Sequence, residues 1–328
     1  MSRSILGVSF GTRHLKMCSV NGNVVEGYVE TEIPENSISN ESIVAWSALT
    51  SLLKDVRKKE NFRAKDCAVV LTDADSYVRR LTMPAMNEKQ LMVNLPYEFR
   101  DVLSEDPDKY LFDYSMIGAK YDEDGKPVEM ELSGAAVRKE MVEQYTEMFE
   151  KAGLRLVKMT PRVIALEDLI GSMRDENEKN DIALLDLGST YTRIDIFSNG
   201  VYEVTRSIDR GINDIVQAAA SQMNCDPHIA REYLKNNKDN IQNDPALINV
   251  YDGIATEVMR ALNYYTYENQ NNTLENLYYC GTGSSLKPFL NEIAGSVSLN
   301  LLPFSTLNPQ NGEALMGSPS CVGVALGE

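Results

Sequence analysis

The sequence predicts an α/β protein made of two duplicated halves, with a smaller α+β block inserted in the first. Three observations carry this reading. Residues 5–25 (ILGVSFGTRHLKMCSVNGNVV) lie over residues 182–202 (IALLDLGSTYTRIDIFSNGVY) at an offset of 177. Three apolar strands each run into a turn of small residues: Ser9-Phe10-Gly11-Thr12, Asp186-Leu187-Gly188-Ser189-Thr190 and Gly281-Thr282-Gly283-Ser284. Between the two copies, from Tyr77 to Met159, the chain reads strand, helix, strand, strand, helix, strand, enough for a small domain.

In each copy an apolar strand is followed by a one-glycine turn and a second, alternating strand. The offset sets Ser9 on Asp186, Gly11 on Gly188, Thr12 on Ser189 and Lys16 on Arg193. Each copy closes on Asn-Gly, at Asn21-Gly22 and Asn199-Gly200, the strongest short-range hairpin signal because a type I′ turn needs positive φ twice. Leu15 and Met17 share a face in the first copy, as do Ile194 and Ile196 in the second.

Downstream of the first copy, Ile43, Leu49, Leu52, Leu53 and Val56 predict an amphipathic helix, and Cys67 to Thr72 a buried strand. Inside the inserted block, Asn87 with Gln90 forms a capping-box signature, and Pro96 ends or kinks that helix. Asp124-Gly125 marks a hairpin between 111–119 and 128–137. Met141, Tyr145, Met148, Phe149 and Ala152 fall at helical spacing, with Gly153 as the stop. After the second copy, helices are predicted over 212–223 and 227–236, joined at Asp226-Pro227, and from Tyr251 to Tyr267. The strand 277–280 leads into the third turn and a helix from Leu286. The polar runs 236–244 and 269–276 read as loops.

Composition excludes several functions. The chain has 328 residues, 43% of them hydrophobic, about two domains' worth. Its 32 basic and 48 acidic residues give a net charge of −16, which argues against nucleic acid and against direct docking on an anionic membrane. No stretch reaches the ~18 apolar residues of a spanning helix, and the N-terminus lacks a signal-peptide pattern, so a cytoplasmic location is expected. Five scattered cysteines without a CxxC predict reduced, mostly buried thiols.

The three turns suit phosphate. Glycine lets the backbone approach an anion and aim N–H groups at it, and Ser and Thr hydroxyls add donors. A helix after the third turn would add partial positive charge. An acidic side chain at the head of such a turn is suited to a hydrated Mg²⁺ or an attacking water. A rival match exists: Gly7-Val8-Ser9-Phe10-Gly11 fits GxSxG, and Ser9, Asp186 and His228 follow a hydrolase order. Its context fails, because a strand and not a helix is predicted after Ser9. There is no Walker motif, no HExxH and no metal-spaced Cys/His set.

In this order the turns resemble the phosphate-1, phosphate-2 and adenosine motifs of the actin, heat-shock chaperone and sugar-kinase superfamily. Within it the chain resembles the PilM family of type IV pilus assembly proteins over nearly its whole length. That resemblance includes residues 80–86 (RLTMPAM), Phe112-Asp113-Tyr114, Gly134-Ala135-Ala136, Ala152-Gly153-Leu154, the single Gly211 and residues 257–265 (EVMRALNYY). It implies an actin-like ATPase fold, with two ribonuclease H-like halves around a nucleotide cleft and an inserted subdomain, 1C, as in FtsA and PilM. The implied divisions are 1–76 with 159–178 and 307–328 (1A), 77–158 (1C), and 179–306 (2A/2B).

It further implies ATP or ADP with Mg²⁺ as cofactors. Ser9, Gly11, Thr12 and Lys16 would meet phosphate, as would Gly188, Ser189, Thr190 and Gly211. Asp186 would act through Mg²⁺ or water, as the one catalytic candidate. Glu232 and Lys235 resemble the Glu-x-x-Lys that holds ribose and adenine, and Gly281, Gly283 and Ser284 would flank the adenosine. One departure stands out: the phosphate-1 motif normally carries an acid where this chain has Ser9, so nucleotide binding with slow or absent hydrolysis is expected. The implied partner is the cytoplasmic N-terminal tail of the inner-membrane protein PilN, lying between 1A and the insert, with self-association as a further expectation. Membrane recruitment would then be indirect. An active ATPase or small-molecule kinase of the same fold, an FtsA-like or type II secretion-related scaffold, and a pseudo-enzyme without nucleotide are the alternatives.

Overall fold

Two alternating runs joined by a tight turn can bury one face each, and both copies of the repeat do so as β-hairpins. The computed structural model describes residues 4–174 and 180–326; the 178/179 boundary and the last two residues of the closing segment lie outside them. The chain divides into two compact units: Met1–Gly22, Val29–Ala165 and Val324–Glu328, and Asn23–Tyr28 with Leu166–Gly323.

The first unit opens with β1 (Ile5–Phe10), β2 (His14–Asn21) and β3 (Val24–Glu32), the last crossing the unit boundary. A two-residue pair, β4 (Ile38–Ser39) and β5 (Ser42–Ile43), leads to α1 (Trp46–Lys59) and β6 (Asp66–Leu71). Ile43, expected on the helix, lies on β5, although it joins the same core as Leu49, Leu53 and Val56. Then come β7 (Ser76–Pro84), α2 (Glu88–Asn94), β8 (Tyr110–Tyr121), β9 (Pro127–Arg138), α3 (Lys139–Lys151) and β10 (Arg155–Pro161), the element order expected for the inserted block.

Strand order in the main sheet is β10-β6-β1-β2-β3, and β7-β9-β8 form a separate three-stranded sheet. The Asn87 capping box starts α2, and Pro96 converts its continuation into a 3-10 turn over Leu95–Phe99. Leu91, Leu95 and Phe99 then pack on Leu81, Met130 and Leu132 as a small core of their own. Helix α3 behaves differently. Its Tyr145, Met148 and Phe149 sink into the core of the main sheet with Leu49, Leu53 and Leu6, each such burial contributing about 1.5–3 kcal/mol. It ends in a Schellman motif, with Gly153 at φ 74°, Leu154 N–H on Phe149 O and Gly153 N–H on Glu150 O.

The second unit takes most of α4 (Arg162–Met173), a helix with no counterpart in the sequence reading. It continues with β11 (Ile182–Leu187), β12 (Thr192–Ser198), β13 (Val201–Ile208), α5 (Ile212–Met223), α6 (Pro227–Lys235), α7 (Pro245–Glu268) and β14 (Asn276–Cys280). It closes with α8 (Lys287–Ser296), β15 (Asn300–Pro303), α9 (Gly312–Gly317) and α10 (Pro319–Leu326). Its sheet order is β13-β12-β11-β14-β15, the first unit's order strand for strand. The registers also agree: Ile5↔Val20 to Phe10↔Leu15 in one, Ile182↔Phe197 to Leu187↔Thr192 in the other, related by the same offset of 177.

Two expectations are corrected. The first hairpin turns on Gly22 and Asn23, not on Asn21-Gly22. Gly22 alone of that pair has positive φ (60°), whereas Asn199 and Gly200 both do (53° and 83°). A glycine in the leading position selects a one-sided positive-φ turn, and the shift brings the two turns into line at the repeat offset. Helix α7 starts at Pro245, directly after the predicted loop and six residues before the expected Tyr251, because Asp244 caps it by accepting from Ala246 N–H. The same Asp-Pro signature stands one helix earlier, where Asp226 caps α6.

Candidate functional site

In the first unit, Ser9 is the second-last residue of β1 and pairs across the hairpin with Lys16. The connection is a tight turn in which Gly11 N–H donates to His14 O at 2.8 Å. Ser9, Gly11, Thr12 and Lys16 are all half-buried there. His14 is 3.1 Å from Glu30; burial holds its imidazole below the ordinary value, with Glu30 pulling the other way. A strand follows the turn, so the hydrolase elbow is absent, and His228 stands exposed at the start of α6.

The second unit repeats this turn at Gly188, whose N–H donates to Tyr191 O at 3.1 Å. Here more is built onto it. Ile212 and Asn213, at the first turn of α5, donate their N–H groups to Gly188 O (3.0 Å) and Ser189 O (2.8 Å). A trans peptide points the carbonyl of one residue and the N–H of the next in opposite directions. The N–H groups of Ser189 and Thr190 are therefore aimed away from α5. The helix N-terminus is thus taken up by the carbonyls of the turn, which it fixes in place.

Gly211 makes the approach possible. A Cβ there would lie 2.7 Å from Gly188 O and 2.8 Å from Ser189 O. Its own N–H is held by Asp214 Oδ2 at 2.8 Å, the reciprocal half of a capping box. The third turn closes on the same place: a Cβ on Gly281 would meet Asp186 Oδ1 at 2.5 Å, and one on Gly283 would meet Leu187 Cβ at 2.8 Å. Gly281 has φ 91° and donates its N–H to Met316 O. Residues 282–285 form a 3-10 turn, and α8 follows at Lys287 with Leu286 at its N-cap, within one residue of the expected start.

The second unit thus gathers Asp186, Gly188, Ser189, Thr190, Gly211, Gly281 and Gly283 into one interlocked cluster, with Ser284 N–H on Gly281 O at its rim. Glu232 and Lys235 are exposed on α6, three residues apart and so on one face. Helix α6 itself connects to the cluster through residues that the sequence reading missed. Arg231 Nη2 donates to Asn213 Oδ1 at 2.8 Å, and Asn213 Nδ2 reaches Thr190 Oγ1 at 3.4 Å. Gly211-x-x-Asp214, a helix-start pattern, was the available signal for this junction. Among the described residues no group of three or more His, Cys, Asp or Glu is placed to hold a metal, and no helix is long and apolar enough to cross a membrane. None of the five cysteines is in a disulfide; four are buried and Cys225 is half-buried.

Two five-stranded sheets of one order, each opening on a hairpin with a phosphate-type turn, define a protein of the actin-like ATPase fold, and solved structures agree. The chain is similar to a PilM–PilN type IV pilus biogenesis complex structure (TM-score 0.81, 20% identity, 98% of this chain and 97% of that one). It is similar to the ethanolamine utilization protein EutJ of Carboxydothermus hydrogenoformans (TM-score 0.61, 14% identity, 99% and 90%). It is also similar to MreB 5 of Spiroplasma citri bound to AMPPNP (TM-score 0.55, 12% identity, 99% and 95%). No curated protein matches by sequence. The family described as type IV pilus assembly protein PilM matches residues 7–315, and the chain belongs to that family.

Proposed function

We propose that this type IV pilus assembly protein binds ATP at the Gly188 and Gly281 turns and acts as a scaffold, with hydrolysis slow or absent. The observation that carries this is the pair of Ser189 and Thr190 amides, aimed outward by α5, in a cluster where a Cβ at Gly211 or Gly281 would collide. Such a nest of N–H groups suits phosphate oxygens. The family resemblance adds Gly11, Thr12 and Lys16 as expected phosphate contacts, and Glu232 and Lys235 would take ribose and adenine.

The donor set fits Mg²⁺. That ion keeps several waters and needs one or two carboxylates plus phosphates, not a protein cage. Asp186, half-buried beside Gly281, supplies one carboxylate, and Mg²⁺ would supply charge neutralisation of the phosphates. Ser9 stands where a second acid would be, and its hydroxyl cannot neutralise a cation; this is the reason for slow turnover. Calorimetric titration of ATP with the wild type and Asp186→Ala tests the reading. Binding that weakens in the variant supports it, no binding to the wild type defeats it, and turnover above roughly 1 per second would point to an active enzyme instead.

The partner reading follows the PilM–PilN resemblance: a PilN-like N-terminal peptide lying between the first half and the insert, as an extended segment held by main-chain bonds and pockets. A groove of about 500 Å³ between α1 and α3 supports it, with Trp46, Thr50, Lys54, Gln144, Met148 and Lys151 among its lining. Trp46 is the chain's single tryptophan, so its fluorescence reports occupancy directly. A PilN cytoplasmic peptide that leaves this emission unchanged counts against the site. Recruitment to the inner face of the membrane would run through that partner, with self-association as a further property. Flotation of the isolated protein with anionic liposomes would overturn the indirect route.

A further inference from the structure

Asn213 sits between the two ends of the proposed site. Its main-chain N–H donates to Ser189 O at 2.8 Å, and its Nδ2 reaches Thr190 Oγ1 at 3.4 Å. Its Oδ1 accepts from Arg231 Nη2 at 2.8 Å. Arg231 is half-buried and directly precedes Glu232 on α6. A carboxamide is suited to this position because it donates and accepts at once, whereas a carboxylate or an ammonium does only one. The bond from the charged guanidinium is the stronger of the two side-chain links. Fixing Thr190 therefore fixes the Asn213 amide plane, and the amide in turn fixes Arg231 and the face of α6 on which Glu232 and Lys235 stand.

Resting on the nucleotide reading above, we infer that Asn213 and Arg231 are positioning residues that couple occupancy of the phosphate turn to occupancy of the α6 face. A triphosphate tail and a nucleoside then reinforce each other's binding in this unit, beyond the contacts each makes alone. Reciprocity follows from linkage: the tail raises affinity for the nucleoside by the factor with which the nucleoside raises affinity for the tail.

The test measures ATP and adenosine binding by displacement of a fluorescent ATP analogue from the full chain. It compares the wild type, Asn213→Ala, Arg231→Met and the double variant, with thermal melting alongside. The preference for ATP over adenosine is expected to fall about tenfold in each single variant, the size of one charge-assisted hydrogen bond, and no further in the double variant. Arg231→Met leaves the main-chain bonds of Asn213 in place and reads the link even if Asn213→Ala does not fold. An unchanged preference in variants that melt like the wild type overturns the inference alone, and so do losses that multiply in the double variant. A wild type that binds neither ligand overturns the nucleotide reading and this inference with it.

Discussion

Gly211→Ala probes the junction between the second turn and α5. Gly211 has φ −158°, extended backbone that any residue adopts, so the substitution acts through space and not through dihedral strain. The new methyl would lie 2.7 Å from Gly188 O and 2.8 Å from Ser189 O. Relief requires turn and helix to part by roughly 0.7–0.8 Å, since carbon contacts settle nearer ~3.5 Å. The two bonds joining them, at 3.0 and 2.8 Å, are then stretched towards the ~3.2 Å limit of good geometry or past it. Two weakened hydrogen bonds at about 0.5–1.5 kcal/mol each, with overpacking at about 1–3 kcal/mol, give a loss of about 2–6 kcal/mol. Urea unfolding followed by circular dichroism would show a midpoint lowered by about 1–2 M, and ATP affinity would fall with it. Gly171→Ala is the control: a Cβ there, in α4, meets nothing within 4 Å, so helix propensity predicts a gain of up to ~1 kcal/mol. A Gly211→Ala protein with both midpoint and ATP affinity unchanged would refute the account of the junction.

Burial holds the Asp75 carboxyl above its ordinary value, with hydrogen bonds from Tyr145 and Ser42 opposing the shift. The folded chain then keeps that proton longer than the unfolded one, so its contribution to stability falls as pH rises above about 3.9. Asp75→Asn should therefore gain on the wild type between about pH 4 and pH 7 in thermal melts; a variant that loses ground over that range contradicts the assignment. Tyr145→Phe removes a donor to a buried carboxylate and should cost about 1–3 kcal/mol at neutral pH, read by urea unfolding. The Cys67 thiol is pushed up to about 12, by burial first and by Asp66 second. Alkylation of the native protein near pH 8, followed by mass spectrometry, should modify half-buried Cys225 before Cys67, and the reverse order would argue against that burial. Ser9→Asp should increase the Mg²⁺ dependence of ATP affinity by a few-fold, about 1 kcal/mol; a calorimetric titration with and without Mg²⁺ that shows no change would remove Ser9 from the site.

Much of the fold is legible because the signals are local. An Asn-Gly dipeptide between alternating runs has few conformations, a capping box satisfies two N–H groups within four residues, and a Schellman glycine ends a helix by its own φ. The repeat is legible for a related reason: the same strand pairings impose the same alternation twice. Where reading fails, the deciding contact is distant in sequence. Helix α3 follows two strands of the inserted block, yet its Tyr145 and Phe149 pack with Leu49 and Leu6 of the main sheet. The short α4 has weak amphipathic character, and its helical state is fixed by what it packs against.

For the candidate site, the residue types at the three turns were fixed by the sequence. Glycine is required wherever two backbones meet at less than a side chain's width, and at the repeat offset of 177 Ser9 stands where the second copy has Asp186. Tertiary structure alone decided how those turns are held: α5 amides on the Gly188 and Ser189 carbonyls, Gly281 against Asp186, and Arg231 tied through Asn213 to Thr190. The backbone amides that carry the proposed chemistry have no side-chain identity to read. Their direction is set by hydrogen bonds to a helix that begins more than twenty residues later, and only the folded chain brings the two together.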